Sequence, residues 1–242
     1  MKILLLICLL LTSALQLFAN PAGTFGFQKY NGDEYASSVL LYRKAALEAA
    51  RNANSRKEVI YLNNLASAFF ALGQKDSAQH YLTESRQACF GDSLLLVVPD
   101  LNSAFFGHHT DYALSEDKLT KLKAYFSPYE FGNLLLAYGR WLMTKNESAP
   151  AQACFKQAGA IFEESTNSVG YAYSVLYLAR TYLLSGELDK TKSDTDKALA
   201  LFQKGPYRRG IRETLLIRKA LFEKMGDPAA VKKTESLLKR VP

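Results

Sequence analysis

An all-α fold follows from three features of the sequence. Apolar residues recur every three to four positions through most of the chain, the helical period rather than the alternation of a strand. Ala, Leu, Lys and Glu, all good helix formers, dominate the composition. Breakers come at short intervals, at Gly73, Gly91-Asp92, Pro99, Gly107, Pro128, Pro150, Gly186, Gly205-Pro206 and Gly226-Asp227-Pro228. They cut the chain into about eleven helices of roughly 12 to 20 residues. With 242 residues, 48% hydrophobic and 22% charged, the chain is neither a disordered polymer nor a collagen-like fibre, and three cysteines do not make a disulfide scaffold.

The N-terminus reads as a targeting segment. Met1-Lys2 precedes the apolar run Ile3 to Leu11, and the small residue Ala19 stands before the polar Asn20. One positive charge, an apolar stretch and a small residue before a polar turn make residues 1–19 a secretory signal peptide, cleaved after Ala19 or, as a second site, after Ala14. The alternative is an uncleaved membrane anchor over residues 3–19, which sits at the short limit for spanning a bilayer. Cys8 comes too early to be a lipoprotein acylation site. Export places the protein in the periplasm or outside the cell, where Cys89 and Cys154 meet an oxidising environment. Their separation in the repeat register argues against a bridge and for two small buried hydrophobes.

Residues 20–32, with Gly23, Gly26 and Gly32, read as a linker, and residues 33–242 as one helical domain. Asp33 to Ala53 forms a single leading helix. Beyond it, three segments align without gaps at a period of 40. The first runs from Tyr138-Gly139-Arg140-Trp141-Leu142 through a turn at Lys145-Asn146 to Ala151, Phe155 and Ala158. The second runs from Leu178-Ala179-Arg180-Thr181-Tyr182 through Ser185-Gly186 to Thr191, Thr195 and Ala198. The third runs from Arg218-Lys219-Ala220-Leu221-Phe222 through Met225-Gly226 to Val231, Glu235 and Leu238. An earlier copy holds Leu65-Ala66, Phe69, Gly73, Ala78, Leu82 and Ser85. A small residue midway along the first helix lets the second cross at about 8–10 Å, and Gly or Asn at the turn takes the left-handed conformation that ends a helix.

These residues give the chain a resemblance to the tetratricopeptide repeat (TPR) family, in a long-helix variant of about 40 residues per repeat. The match is clear over 56–86 and 131–240; 93–126 looks like a degenerate copy. Two departures stand out. Thr191 and Thr195 are polar where the second helix wants apolar residues, and Lys219 stands where a small residue is expected. The resemblance implies an α-solenoid, a right-handed superhelix of about five antiparallel helix pairs. It also implies a concave groove that holds an extended peptide or a helix of a partner protein.

Residues beside the mid-helix small position are candidates to line that groove: Asn63, Ser67 and Phe70 in the first copy, Asn133, Leu136, Arg140 and Met143 in the next, and Tyr173, Leu176, Arg180 and Leu183 in the third. Arg140 and Arg180 occupy equivalent places in neighbouring repeats, a spacing suited to holding carboxylates bidentately. The aromatic and leucine side chains would grip apolar groups. The alternative is that both arginines are solvated or pair with nearby acids.

Catalytic motifs are not apparent: the sequence holds no phosphate-cradling glycine loop, nucleophile elbow, HExxH or CxxC. His108-His109-Thr110-Asp111 comes nearest to a metal site, but adjacent residues converge poorly on one tetrahedral centre. No enzyme activity, metal or cofactor is expected. The net charge of +7 is uneven. Residues 204–242 carry an excess of +7 by themselves, including Arg208, Arg209, Arg212, Lys232 and Lys233 as a basic terminal patch, while residues 20–203 are near neutral. Such a patch either attracts anions or keeps an exposed terminal repeat soluble. Nucleic acid is not expected as a partner, because no nucleic-acid module is present.

The function expected is an exported, non-enzymatic scaffold that binds a protein or peptide, an acidic one being the best match to the arginines. A membrane association is expected only if residues 3–19 are retained. The alternative is an extracytoplasmic sensor module related to, or shortened from, a TPR-containing signalling protein, whose family members continue into a membrane helix and an output domain.

Overall fold

The computed structural model describes residues 21–107 and 112–241. The predicted signal peptide or anchor, and the His108-His109 pair, lie outside these residues. Within them the chain is all-α, with twelve helices and no strand. The helices are α1 (Pro21–Asn31), α2 (Tyr35–Arg51), α3 (Ser55–Ala71), α4 (Lys75–Ala88), α5 (Val97–Phe105), α6 (Glu116–Tyr125), α7 (Pro128–Thr144), α8 (Ser148–Glu164), α9 (Ser168–Leu184), α10 (Leu188–Phe202), α11 (Arg208–Met225) and α12 (Pro228–Leu238). Where the sequence suggests one domain, the chain forms two compact units. Among the described residues, one comprises 21–30 together with Glu34–Phe90, and the other comprises Asn31–Asp33 and those from Gly91 on.

In the first unit α3 packs against both α2 and α4. Val59, Leu65, Ala66 and Leu82 form its core and are inaccessible to solvent. Ser85 is equally buried, and its hydroxyl donates to the Val59 carbonyl at 3.1 Å, which satisfies a polar group that would otherwise be stranded. The expected linker over 20–32 is helical from Pro21. Gly23 and Gly26 signal flexibility in the sequence, but here they are packing surfaces. A Cβ at Gly23 would stand 2.5 Å from the Tyr61 ring, and one at Gly26 2.9 Å from the Tyr42 ring.

The second unit holds the 40-residue repeats, and the helix ends show their register. Asn146, Gly186 and Gly226 all adopt left-handed backbone, with φ of 62°, 78° and 69°. After each, a backbone N–H closes the helix end on a carbonyl five residues earlier: Glu147 to Leu142, Glu187 to Tyr182 and Asp227 to Phe222, at 2.9 to 3.0 Å. The α7 start is fixed by a capping box between Ser127 and Glu130 with Pro128 inside it. In the degenerate region, the Trp141 indole N–H donates to the Tyr112 carbonyl at 2.6 Å, and the Tyr138 hydroxyl accepts from the Leu114 N–H at 3.0 Å. Both bonds tie the chain before α6 to α7.

Between helices, a phenylalanine ring lies on a glycine. Phe162, fully buried at the end of α8, sits against Gly170 at the start of α9. Forty residues on, Phe202 sits against Gly210. Phe162 also covers Gly132 of α7, and Phe155 covers Gly139. The departures in the later repeats have a physical account. Thr191 and Thr195 are inaccessible, and each hydroxyl donates to a carbonyl of its own helix, Glu187 at 2.9 Å and Lys192 at 3.0 Å, so they pack as small residues. The positions of Gly139 and Phe155 correspond in the last repeat to Lys219 and Glu235, which form an ion pair at 2.7 Å. That pair holds the lysine above its usual range and the glutamate below its own, in each case chiefly through their mutual hydrogen bond.

Cys89 and Cys154 are both buried and unbridged, and burial pushes the Cys154 thiol up to about 11. The fold therefore holds Cys154 protonated where an unfolded chain begins to ionise near pH 9. Its contribution is complete below pH 9 and is lost between there and about 11, so the stability advantage of the native chain over Cys154→Ala should shrink by up to about 2–3 kcal/mol across that window. Urea midpoints from pH 8 to 10.5 check this. The glycines give a contrast of sign. Gly210→Ala should destabilise by about 1–3 kcal/mol, because a Cβ would stand 2.5 Å from the buried Phe202 ring. Gly159→Ala meets nothing nearer than 3.4 Å and should stabilise by up to about 1 kcal/mol through helix propensity. Urea denaturation of the two variants reads both effects.

Candidate binding surface

In the second unit the first helices of successive pairs, α5, α7, α9 and α11, place arginine and aromatic side chains in alternation. The Arg140 guanidinium lies 4.3 Å from the Phe105 ring centroid and 5.4 Å from that of Tyr177. Tyr177 stacks with Tyr173 one turn earlier, at 5.9 Å. Arg209 of α11 then lies 5.9 Å from the Tyr173 ring centroid. The face is thus a ladder of Phe105, Arg140, Tyr177, Tyr173 and Arg209. Planar guanidinium groups suit this stacking, because they present a cationic face to the ring while their N–H edges stay available to acceptors.

Each rung is held by its own helix and its neighbours. Tyr173 meets the edge of Phe202 at 4.8 Å, and Phe155 meets Tyr177 at 5.4 Å. Arg209 donates through Nε to Glu213 at 2.9 Å, one turn along α11. The Tyr173 hydroxyl donates to the Asn31 side-chain oxygen at 2.6 Å, and Arg212 pairs with Asp33.

The sequence-derived groove residues separate into groups. Asn133 and Arg180 are exposed, and the Asn133 amide donates to the Tyr129 carbonyl. Arg140 and Met143 are half-buried. Leu136, Tyr173, Leu176 and Leu183 are buried among the helices instead of lining an open wall, with Leu176 fully inaccessible. The Lys224 ammonium donates to the Leu183 carbonyl at 2.9 Å. In the first unit Asn63, Ser67 and Phe70 are half-buried on α3, and the Ser67 hydroxyl donates to the Asn63 carbonyl. Arg140 and Arg180, equivalent in sequence, thus have different surroundings: one stacked, one in solvent. The 40-residue register identified Arg140 but gave no sign of Phe105 or Tyr177, which come from other helices.

The basic terminal patch is neutralised only in part. Arg209, Arg212, Arg218 and Lys219 pair with Glu213, Asp33, Asp196 and Glu235. Arg208, Lys232 and Lys233 remain at the surface. The first unit carries a separate cavity of about 540 Å³ between α2 and α4 over α3, where Arg43 donates to the Tyr81 hydroxyl at 3.0 Å. Glu58 on its wall is raised by loss of solvent and then by the nearby Glu84. Among the described residues no three His, Cys, Asp or Glu side chains gather as a metal site, and no helix is long and apolar enough to cross a membrane.

No family model matches the chain, and no match is found among curated proteins. Solved structures do match. A Rap protein complexed with competence and sporulation factor superposes with a TM-score of 0.61 at 16% identity, over 91% of this chain and 63% of the other. The chain therefore spans less than two thirds of that protein's length. BtubC (BKLC) from P. vanneervenii superposes with a TM-score of 0.54 at 14% identity, over 88% of this chain and 90% of the other. With the helix pairs and their 40-residue register, these likenesses define the fold as a TPR-like α-solenoid.

The unequal surroundings of the two arginines give a test. Arg140→Ala should destabilise the protein by about 1–2 kcal/mol, because two cation–aromatic contacts are lost. The exposed Arg180→Ala should change stability by less than about 0.5 kcal/mol. Urea unfolding of the two variants side by side decides whether the ladder is structural as described.

Proposed function

We propose that this protein is an exported, non-catalytic scaffold whose repeat face binds a peptide or a segment of a partner protein. The observation that carries the reading is the ladder from Phe105 to Arg209. Of its members the Phe105 ring and the Arg140 guanidinium are half-buried and reach solvent, while the buried Tyr177 and Tyr173 behind them hold them in place, so that binding requires little ordering of the receptor. A ligand combining carboxylates with apolar side chains matches that surface. The Rap protein of similar fold is likewise complexed with a factor, which supports ligand binding on a helical-repeat frame. Export rests on residues 1–19 and on removal of that segment after Ala19.

Affinity capture from the exporting organism with the chain from residue 20 provides the ligand. Its affinity is then measured for native protein and Arg180→Ala at two salt concentrations. Loss of a charge-assisted contact should weaken an acidic ligand about tenfold or more and reduce the salt dependence. Unchanged affinity and unchanged salt slope would sink the acidic-ligand reading. The N-terminal sequence of the secreted protein tests export independently, with Asn20 expected first.

A further inference from the structure

The second unit contains three residues from far outside its continuous stretch: Asn31, Gly32 and Asp33. Asn31 is 2% exposed, Gly32 is buried and the Asp33 side chain is 11% exposed. An amide and a carboxylate so withdrawn from water need specific partners, and α9 and α11 provide them. The buried Tyr173 hydroxyl donates to the Asn31 oxygen at 2.6 Å, and Arg212 pairs with the Asp33 carboxylate. Tyr173 cannot drift, because Tyr177 and Phe202 pack its ring and Arg209 lies against it. Asp33 adopts a left-handed backbone, φ 61°, which a non-glycine residue takes at some cost. The turn is thus shaped to the two donors it meets.

We propose that Tyr173 and Arg212 form a recognition site for a short peptide carrying a side-chain amide and, two residues later, a carboxylate, and that Asn31-Gly32-Asp33 fills this site as a ligand built into the chain. The inference rests on the peptide-binding reading above and gives it a ligand class. A tethered occupant acts at an effective concentration in the millimolar range, so a free peptide of the same chemistry competes poorly until the tethered one is disabled.

The test uses the full chain and a synthetic peptide of residues 29–35, with titration followed by calorimetry. The vacated variant Asn31→Ala/Asp33→Ala should bind the peptide at least tenfold more tightly than native protein does. Adding Arg212→Ala to that variant should abolish the gain. A control peptide with alanine in place of its Asn and Asp should not bind. Should the double variant fail to fold, Asp33→Asn, which keeps the turn and its amide, carries the decision with an expected gain of threefold or more. Equal binding to native and vacated protein, or equal binding of the control peptide, overturns the proposal. A captured ligand that binds the vacated variant while the 29–35 peptide does not refutes the built-in ligand and leaves the scaffold reading standing. Failure of both refutes both.

Discussion

The repeats of the second unit depend on an aromatic ring packed directly against a glycine. Phe162 against Gly170, and Phe202 against Gly210, join the second helix of one pair to the first helix of the next. A side chain on either glycine would force the helices apart. A smaller residue in place of either phenylalanine would leave a cavity, which in a core of this kind costs several kcal/mol. The same ring of Phe162 also covers Gly132, so one side chain sets the spacing to helices before and after it. Placement of the ladder side chains follows from that spacing. Arg140 reaches both Phe105 and Tyr177 only because α5, α7 and α9 stand at fixed distances.

What the sequence made legible follows from which contacts are local. The left-handed turns at Asn146, Gly186 and Gly226 need a particular residue type at a fixed offset, so they recur visibly at a period of 40. The helices themselves announce their apolar period. Complementary pairs are harder to read, because two positions can change together while filling the same space. Gly139 with Phe155 becomes Ala179 with Thr195 and then Lys219 with Glu235. Read one position at a time, Thr195 and Lys219 look like departures. Taken as pairs, Gly139 with Phe155 and Lys219 with Glu235 join equivalent helices, one by close packing and the other by an ion pair.

The binding surface was less legible for a different reason. Helical spacing says which residues share a face, but not what stands opposite that face. Tyr173 and Leu176 fall at groove-facing positions, yet other parts of the chain cover them. Arg140 and Arg180 are identical by register and differ through neighbours contributed by helices outside their own repeat. Gly23 and Gly26 illustrate the same limit. Glycine in sequence signals either freedom or close approach, and only the Tyr61 and Tyr42 rings show that these two mark close approach.

The two kinds of contact differ widely in how far apart their partners lie along the chain. The ring-on-glycine contacts join residues only eight positions apart, as Phe162 to Gly170 and Phe202 to Gly210. Contacts so local form quickly, and a chain built from them folds by extension from one pair to the next. The bonds of the turn at 31–33 are of the opposite kind, reaching across 142 residues from Asn31 to Tyr173 and 179 from Asp33 to Arg212. Emerging from the ribosome before α9 and α11, that turn cannot make these two bonds until those helices have been made. Its docking therefore belongs to the last stage of folding, and it separates a finished molecule from one whose repeats have merely stacked.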